Sequence, residues 1–230
     1  MKRSIFLTLA APAYAQFGKI FDGIANRSSP GQSKSASGIR EALQIGIDHA
    51  VEVTGTTDGY FKNALIKILL PEKIRSGERA LRIVGLGPKI DEFELSMNRA
   101  AEQSAPAAKS IFKAAILKMT FDDARKLITG GNTSATDFFK EKTSADLNAA
   151  FTPIVTASMA ETGVVRQYKR LTGSIPTLPF MKTESFDIDR YVVGKALDGL
   201  FLMIGEEEKR IRRNPAAQIT PLLREVFGKR

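Results

Sequence analysis

The stretch DRYVVGKALDGLFLMIGEEEKRIRRN, Asp189 to Asn214, is the longest run in the chain that is both strongly apolar and helically periodic. Val193, Leu197, Leu200, Ile204 and Ile211 recur at helical spacing, and Val192, Ala196 and Met203 widen that face beyond what a surface helix needs. A helix over 188–213, central in its domain and buried on more than one side, is predicted. Ser185 or Asp187 offers a cap for its start. Asn214-Pro215 ends it, because the residue before a proline is pushed out of the helical region. In the last turns Glu206 with Arg210 and Glu208 with Arg212 are i,i+4 pairs with the acid on the N-terminal side, the better orientation.

Three glycines, Gly194, Gly199 and Gly205, interrupt this helix, each costing about 1 kcal/mol against alanine, so a packing advantage is expected to offset them. Gly194 and Gly205 fall on one line with Asp198, Phe201, Glu208 and Arg212, which reads as a seam. The ordinary reading is another helix approaching closely at Gly194 and Gly205, with Asp198 hydrogen-bonded or solvated. The sharper one has Asp198 lining a cleft, because an acid within an apolar stretch must find a partner or reach water.

Composition narrows the chemistry. At 43% hydrophobic and 26% charged residues, 230 residues make one ordinary globular core, and no apolar run approaches the length of a bilayer span. With no cysteine there is no disulfide, thiolate nucleophile, iron–sulfur cluster or cysteine-ligated zinc. His49, the only histidine, has no co-ligands and no nucleophile beside it, and is read as an exposed structural residue. No catalytic residue, metal site or cofactor is nominated.

Residues 1–15 read as an export signal, with basic Lys2-Arg3, a short apolar run from Ile5 to Ala11 and the small-x-small pattern Ala13-Tyr14-Ala15. Residues 16–37 follow as a short amphipathic segment, with Phe17, Ile20, Phe21 and Ile24 on one face, and a Ser/Gly/Pro-rich linker. Residues 38–230 are one helical domain. Loss of Lys2 and Arg3 lowers the basic count from 34 to 32 against 25 acids, a formal +7. That charge favours anionic surfaces, and export argues against nucleic acid as partner. Lys209 to Arg230 concentrates cations, and with the Phe17–Ile24 face it suggests peripheral membrane or envelope-protein contact. In the competing reading Phe17 to Ile24 docks on the domain and the C-terminal cations pair with local acids.

Along the domain, a helix from Ser37 to about Gly55 buries Ile39, Leu43, Ile47 and Ala50. Phe61 to Leu70 is ambiguous between a strand and an apolar loop, and a helix from Pro71 to about Val84 stops at Gly85. The next helix, after Pro88, puts Ile90, Phe93, Met97 and Ala100 on one face and Asp91, Glu94, Asn98 and Glu102 on another, with Arg99 beside them. A solvated face is the commoner outcome for such a stripe, and a buried charge network the alternative. Pro106 opens a helix whose core candidates are Ile111, Ala115 and Met119. Thr120 caps a short one that Gly130-Gly131 closes. Ser134 to Lys142 and Thr143 to Glu161 read as two helices, with a kink at Pro153. A glycine pair before a helix start can hold an anion on backbone amides, though the lysine of a phosphate loop is missing. Val164 to Leu171 and Thr220 to Phe227 are further short helices, and Gly173 to Phe186 is an irregular segment, either packed on the core or serving as a lid or partner surface.

The phrases ALRIVGLG at 80–87, MNRAAE at 97–102, TFDDARKLITGG at 120–131, FTPIV at 151–155, KALDGLF at 195–201, EEEKRIRRNPAA at 206–217 and LLREVF at 222–227 together resemble domain-of-unknown-function family 4197. The resemblance runs from about Gly38 to Phe227 and implies an exported or lipid-anchored protein of Gram-negative bacteria. It implies no activity. Two features depart from the family pattern: there is no anchoring cysteine, and Gln218-Ile219 stands where the family tends to have Arg-Thr.

The expectation is an all-α domain of about eight to ten helices. For function, the first expectation is a non-enzymatic envelope protein binding an apolar small molecule, a membrane surface or a protein, with Glu94, Asn98, Arg99, Glu102, Asp198, Glu208 and Arg212 as candidate polar cleft. The second is a hydrolase or lyase using carboxylates among Asp91, Glu94, Glu102, Asp198 and Glu206 to Glu208, which requires them to converge.

Overall fold

Ile188–Arg213 is helical from end to end in the computed structural model, which describes residues 32–161 and 187–213. Asp187 is the cap, its carboxylate accepting the Arg190 amide at 3.0 Å. The described residues form α1 (Gln32–Gly55), α2 (Glu72–Arg75), α3 (Glu78–Ile83), α4 (Gly87–Ser104), a 3₁₀ turn (Ala105–Ala107), α5 (Ala108–Lys118), α6 (Phe121–Thr129), α7 (Ser134–Glu161) and α8 (Ile188–Arg213). No strand occurs among them.

Helix α8 is central because its apolar face is too wide for one neighbour: it packs on α7, α1 and α4 together, while α7 also covers α4 and α5. Val192, Val193, Ala196, Leu200 and Ile204 of α8 are buried against Ile90, Phe93, Met97 and Ala100 of α4 and Phe139, Leu147, Phe151 and Val155 of α7 in a single cluster. Phe112 of α5 stands edge-on to Phe139 at 5.7 Å and to Phe201 at 6.0 Å, the geometry the ring quadrupoles prefer.

Of the three glycines in α8, Gly199 is the one under pressure. A Cβ there would lie 2.7 Å from the Tyr60 ring and 3.1 Å from Ile66 Cβ. Gly194 has open space beside it and Gly205 only ordinary contact with Thr136 and Thr133, so the expected close approach is at a different glycine on a different face. Tyr60, fully buried in the slot this leaves, donates its hydroxyl to the Ala196 carbonyl at 2.7 Å. Burial, and then the Glu102 carboxylate, raise its pKa, so it stays protonated.

Several boundaries differ from expectation. Helix α1 begins at Gln32, so residues 32–36 of the expected linker are helical. The expected helix over 71–84 is two short ones, interrupted at Ser76-Gly77. The second closes in a Schellman turn: Leu86 N–H bonds Leu81 C=O and Gly85 N–H bonds Arg82 C=O, with Gly85 at φ +84°. Phe61 to Leu70 is turns and loop. The two helices expected across 134–161 are one, which continues through Pro153; no breaker lies near Lys142-Thr143, and the Thr143 hydroxyl bonds the Phe139 carbonyl within the turn. In α5 the buried residues are Ala108, Phe112 and Ile116, with Ile111 and Ala115 only half-buried, while Met119 is buried as expected. Residues 1–31, 162–186 and 214–230, and with them the export signal, the Phe17–Ile24 face, the helices at 164–171 and 220–227 and the 173–186 segment, lie outside the described residues.

Candidate functional site

Helix α4 carries the first polar assembly, built by a row of residues one to two turns apart. Asn98, completely buried, accepts the Ile68 amide on Oδ1 at 2.8 Å and donates Nδ2 to the Ile68 carbonyl at 2.9 Å and the Glu94 carbonyl at 2.8 Å. One side chain thus does for Ile68 what a neighbouring strand would do. A turn further on, Glu102 is also buried, and its Oε1 accepts the amides of Tyr60 and Phe61 at 3.0 and 3.1 Å. Arg99 bridges Glu102 Oε2 at 2.6 Å and Asp58 at 2.7 Å. Asp58 has a φ of +70°, tolerable for a short polar side chain, and is held there by Lys62 and Arg99, which keep its carboxyl below the ordinary aspartate range. At the other end of the row Glu94 pairs with Lys67 at 2.5 Å. Asp91 is mostly exposed and takes Arg82 at 2.6 Å. The stripe read as a solvated face is therefore a buried network over most of its length, whose task is to fasten the 58–68 loop to the body.

The second assembly joins three helices. Both oxygens of the Glu208 carboxylate are seated on the N-terminus of α7, accepting the Ala135 amide at 3.0 Å, the Thr136 amide at 2.9 Å and the Thr136 hydroxyl at 2.8 Å. The first turn of a helix has unbonded amides and a partial positive charge, which suits a carboxylate. Arg212, one turn along α8, pairs with Glu208 at 2.7 Å and reaches the Leu127 carbonyl of α6 at 2.7 Å and Ser134 Oγ at 2.9 Å. The helix start does hold an anion, against the reading that the missing lysine favoured, and that anion is the chain's own glutamate.

Beside it Glu207 accepts His49 Nδ1 at 2.9 Å and Arg210 at 2.5 Å. His49 is thus half-buried and partnered across to α8, rather than exposed. Glu206 takes Lys209, so the Glu206–Arg210 pairing expected from spacing gives way to i,i+3 pairs, while Glu208–Arg212 forms as expected. Burial pushes the Glu207 carboxyl upward, but hydrogen bonds from His49 and Arg210 outweigh it and hold the pKa below the ordinary glutamate value. A carboxyl with a depressed folded pKa stabilises the fold above its unfolded pKa of about 4.3, and that contribution disappears as pH falls through the folded value. Glu207→Gln should therefore be less stable than the parent at neutral pH, and the gap should close as urea melts are repeated from about pH 6 down to about pH 3. A gap independent of pH would contradict it.

Asp198 belongs to neither assembly. It lies exposed on α8 with Lys195 at 3.9 Å, which is the solvated reading of that position. Of the seam residues, Gly194 and Asp198 face solvent, whereas Phe201, Gly205, Glu208 and Arg212 are inside. The seven candidates accordingly divide into Glu94, Asn98, Arg99 and Glu102 on α4, Glu208 and Arg212 at α7, and an isolated Asp198. Sequence reading missed Asp58 and Tyr60. The only hint of the latter was a glycine, Gly199, at mid-helix.

Two of the spaces left over bear on binding. An apolar recess of about 40 Å³ lies between α1, α6 and α8, with Glu207, Glu208 and Arg212 in its wall; it has room for a few waters and none for a lipid chain. The other is an open groove of about 740 Å³ between α5 and α7. Its lining is apolar at Ile111, Ala114, Ala115 and Phe138 and carries charges of both signs at Lys118, Lys142, Asp123 and Asp146. No group of three or more metal-ligating side chains occurs among the described residues.

A family model described as protein of unknown function, DUF4197, matches residues 29–228. No curated protein and no solved structure matches the chain.

Proposed function

The chain belongs to the DUF4197 family, and we propose that it is a non-enzymatic interaction protein that binds a helical segment of a protein partner in the groove between α5 and α7. The groove is the observation that carries this reading. It runs along α5 from Ser110 to Lys118, about 12 Å at 1.5 Å per residue, which is two turns of an incoming helix. Being open along its length, it suits a polymer better than a small molecule, and its mixed lining charges suit an amphipathic segment. Residues 1–15, read as an export signal, support the bacterial envelope as the place of this binding.

The alternative, carboxylate-based hydrolysis or elimination, has weaker support. Glu102 and Glu208 are bound to backbone amides and an arginine, and Glu207 is held ionised by His49 and Arg210, the wrong state for a general acid. Binding of an apolar small molecule likewise lacks an interior cavity of the required size among the described residues.

A photo-cross-linking residue placed at Ala114, exposed in the groove, should give one discrete heavier adduct in cells, mapping by mass spectrometry to a helical segment of another protein. The same probe at Glu52, exposed on α1, should not. Identical patterns at the two positions would sink the reading. So would a cross-link from Ala114 only to Phe17–Ile24 of the same chain, since the groove would then be filled from within.

A further inference from the structure

Between Phe61 and Ile90 the chain carries seven basic residues, Lys62, Lys67, Lys73, Arg75, Arg79, Arg82 and Lys89, against two acids, Glu72 and Glu78. The same stretch holds four of the seven large hydrophobic side chains exposed among the described residues: Leu65 at 67%, Leu69 at 48%, Ile83 at 78% and Val84 at 69%. Coincidence of the two is not what a solvated surface requires. Exposed apolar residues scattered singly are ordinary, whereas a series of them on one segment with a net +5 charge describes a surface with a partner.

The geometry concentrates both features. Loop 61–70 is fastened along α4 by Lys67 on Glu94 and by Asn98 on Ile68, and α2 and α3 then form a corner before α4 starts. Ile83 and Val84 sit at the end of α3, where the Schellman turn at Gly85 reverses the chain. The acids near this corner are already engaged: Glu72 by Arg75, and Glu78 and Asp91 both by Arg82. Arg79 and Lys89 are exposed and have no acid partner among the described residues. Lys62, Lys67, Arg75 and Arg82 are each paired with an acid, so the charge left open to a partner at this corner is that of Arg79 and Lys89.

We propose that this ledge, with Ile83 and Val84 at its tip, is a docking surface for an anionic lipid bilayer. The recess at this corner, about 530 Å³ and wide open, is lined by Arg75, Glu78, Arg79, Arg82 and Ile83, three cations to one acid with an apolar edge, which suits anionic headgroups at a fluid interface. Anionic headgroups meet Arg79 and Lys89 while Ile83 and Val84 enter the boundary between headgroups and acyl chains. The contact is peripheral, since none of the described helices is long and apolar enough to cross a membrane. It is separate from the groove between α5 and α7 and stands whether or not that groove binds a protein.

The chain has no tryptophan, so Val84→Trp places a single fluorophore at the tip. With vesicles containing phosphatidylglycerol its emission should shift to the blue, and with pure phosphatidylcholine it should not. Leu117→Trp, equally exposed on α5, should show no shift with either. In sedimentation with anionic vesicles, Arg79→Gln with Lys89→Gln should weaken partitioning of the full chain about thirtyfold, and raising the salt should weaken that of the parent. Ile83→Ser with Val84→Ser should weaken it about tenfold or more. All four positions are exposed, so thermal unfolding should be unchanged in each variant. Absence of partitioning at low salt, or partitioning that ignores both pairs, would overturn the proposal. Loss with the charge pair while the Val84→Trp emission never shifts would overturn it in favour of an acidic macromolecule.

Discussion

Replacing Glu208 by alanine should destabilise the protein by about 3–5 kcal/mol, among the larger effects a single substitution can have here. The reason is the number of groups left behind. The Ala135 and Thr136 amides and the Thr136 hydroxyl lose their acceptor at the buried start of α7. Arg212, whose side chain is only 5% exposed, loses its counter-charge. An uncompensated buried cation is costlier than the pair was beneficial. The effect should appear as a fall in the urea midpoint of about 2 M, taking a slope of about 2 kcal/mol per molar. Adding Arg212→Met to Glu208→Gln should recover part of the loss, because the stranded charge is then gone and an apolar chain of similar length takes its place. If the double substitution is as damaging as the two single losses added together, the pair is not acting as a unit.

This clasp shows where sequence reading succeeds and where it stops. Helix α8 was legible because its apolar residues repeat at a spacing that only burial on several sides satisfies, and the Thr120 cap was legible because the capping residues are adjacent in sequence. The i,i+4 spacing of Glu208 and Arg212 was visible too, and the anion-holding potential of the Gly130-Gly131 helix start was recognised separately. What spacing within one helix does not contain is that these two features meet, 72 and 73 residues apart. The same holds for α4. Asn98 and Glu102 looked like members of a solvated stripe because their partners, Ile68, Tyr60 and Phe61, offer backbone amides and carry no signature in the sequence. Charged residues on the inside are the ones periodicity misplaces, since it assigns faces by polarity. The groove between α5 and α7 was missed for the opposite reason. Its apolar lining includes Ile111 and Ala115, which periodicity assigned to the core and which the fold leaves half-covered.

Asn98→Ala should cost about 2–5 kcal/mol through two backbone groups rather than through a charge. Both the amide and the carbonyl of Ile68 bond to Asn98, and Ile68 itself is 1% exposed, so water does not replace the lost partner without the loop moving. An unsatisfied buried amide or carbonyl costs about 1–3 kcal/mol each, and the upper end applies only if the loop stays in place. The loop has a way out: it is a segment of turns, tied elsewhere by Lys67 on Glu94, by Glu102 on Tyr60 and Phe61, and by Tyr191 on the Leu69 carbonyl. Release at Ile68 would draw Ile66, Ile68 and Leu70 from the core but leave Tyr60 in its slot against Gly199. The loss should accordingly be local as well as global. Hydrogen exchange at amides 61–70 should accelerate by a larger factor than exchange in α7, whereas Glu208→Ala should accelerate the start of α7 first. Equal acceleration in both regions would mean that Asn98 supports the whole core evenly. Asn98→Asp should be worse than the alanine change, because a carboxylate would then face the Ile68 and Glu94 carbonyls from the position now occupied by a donor.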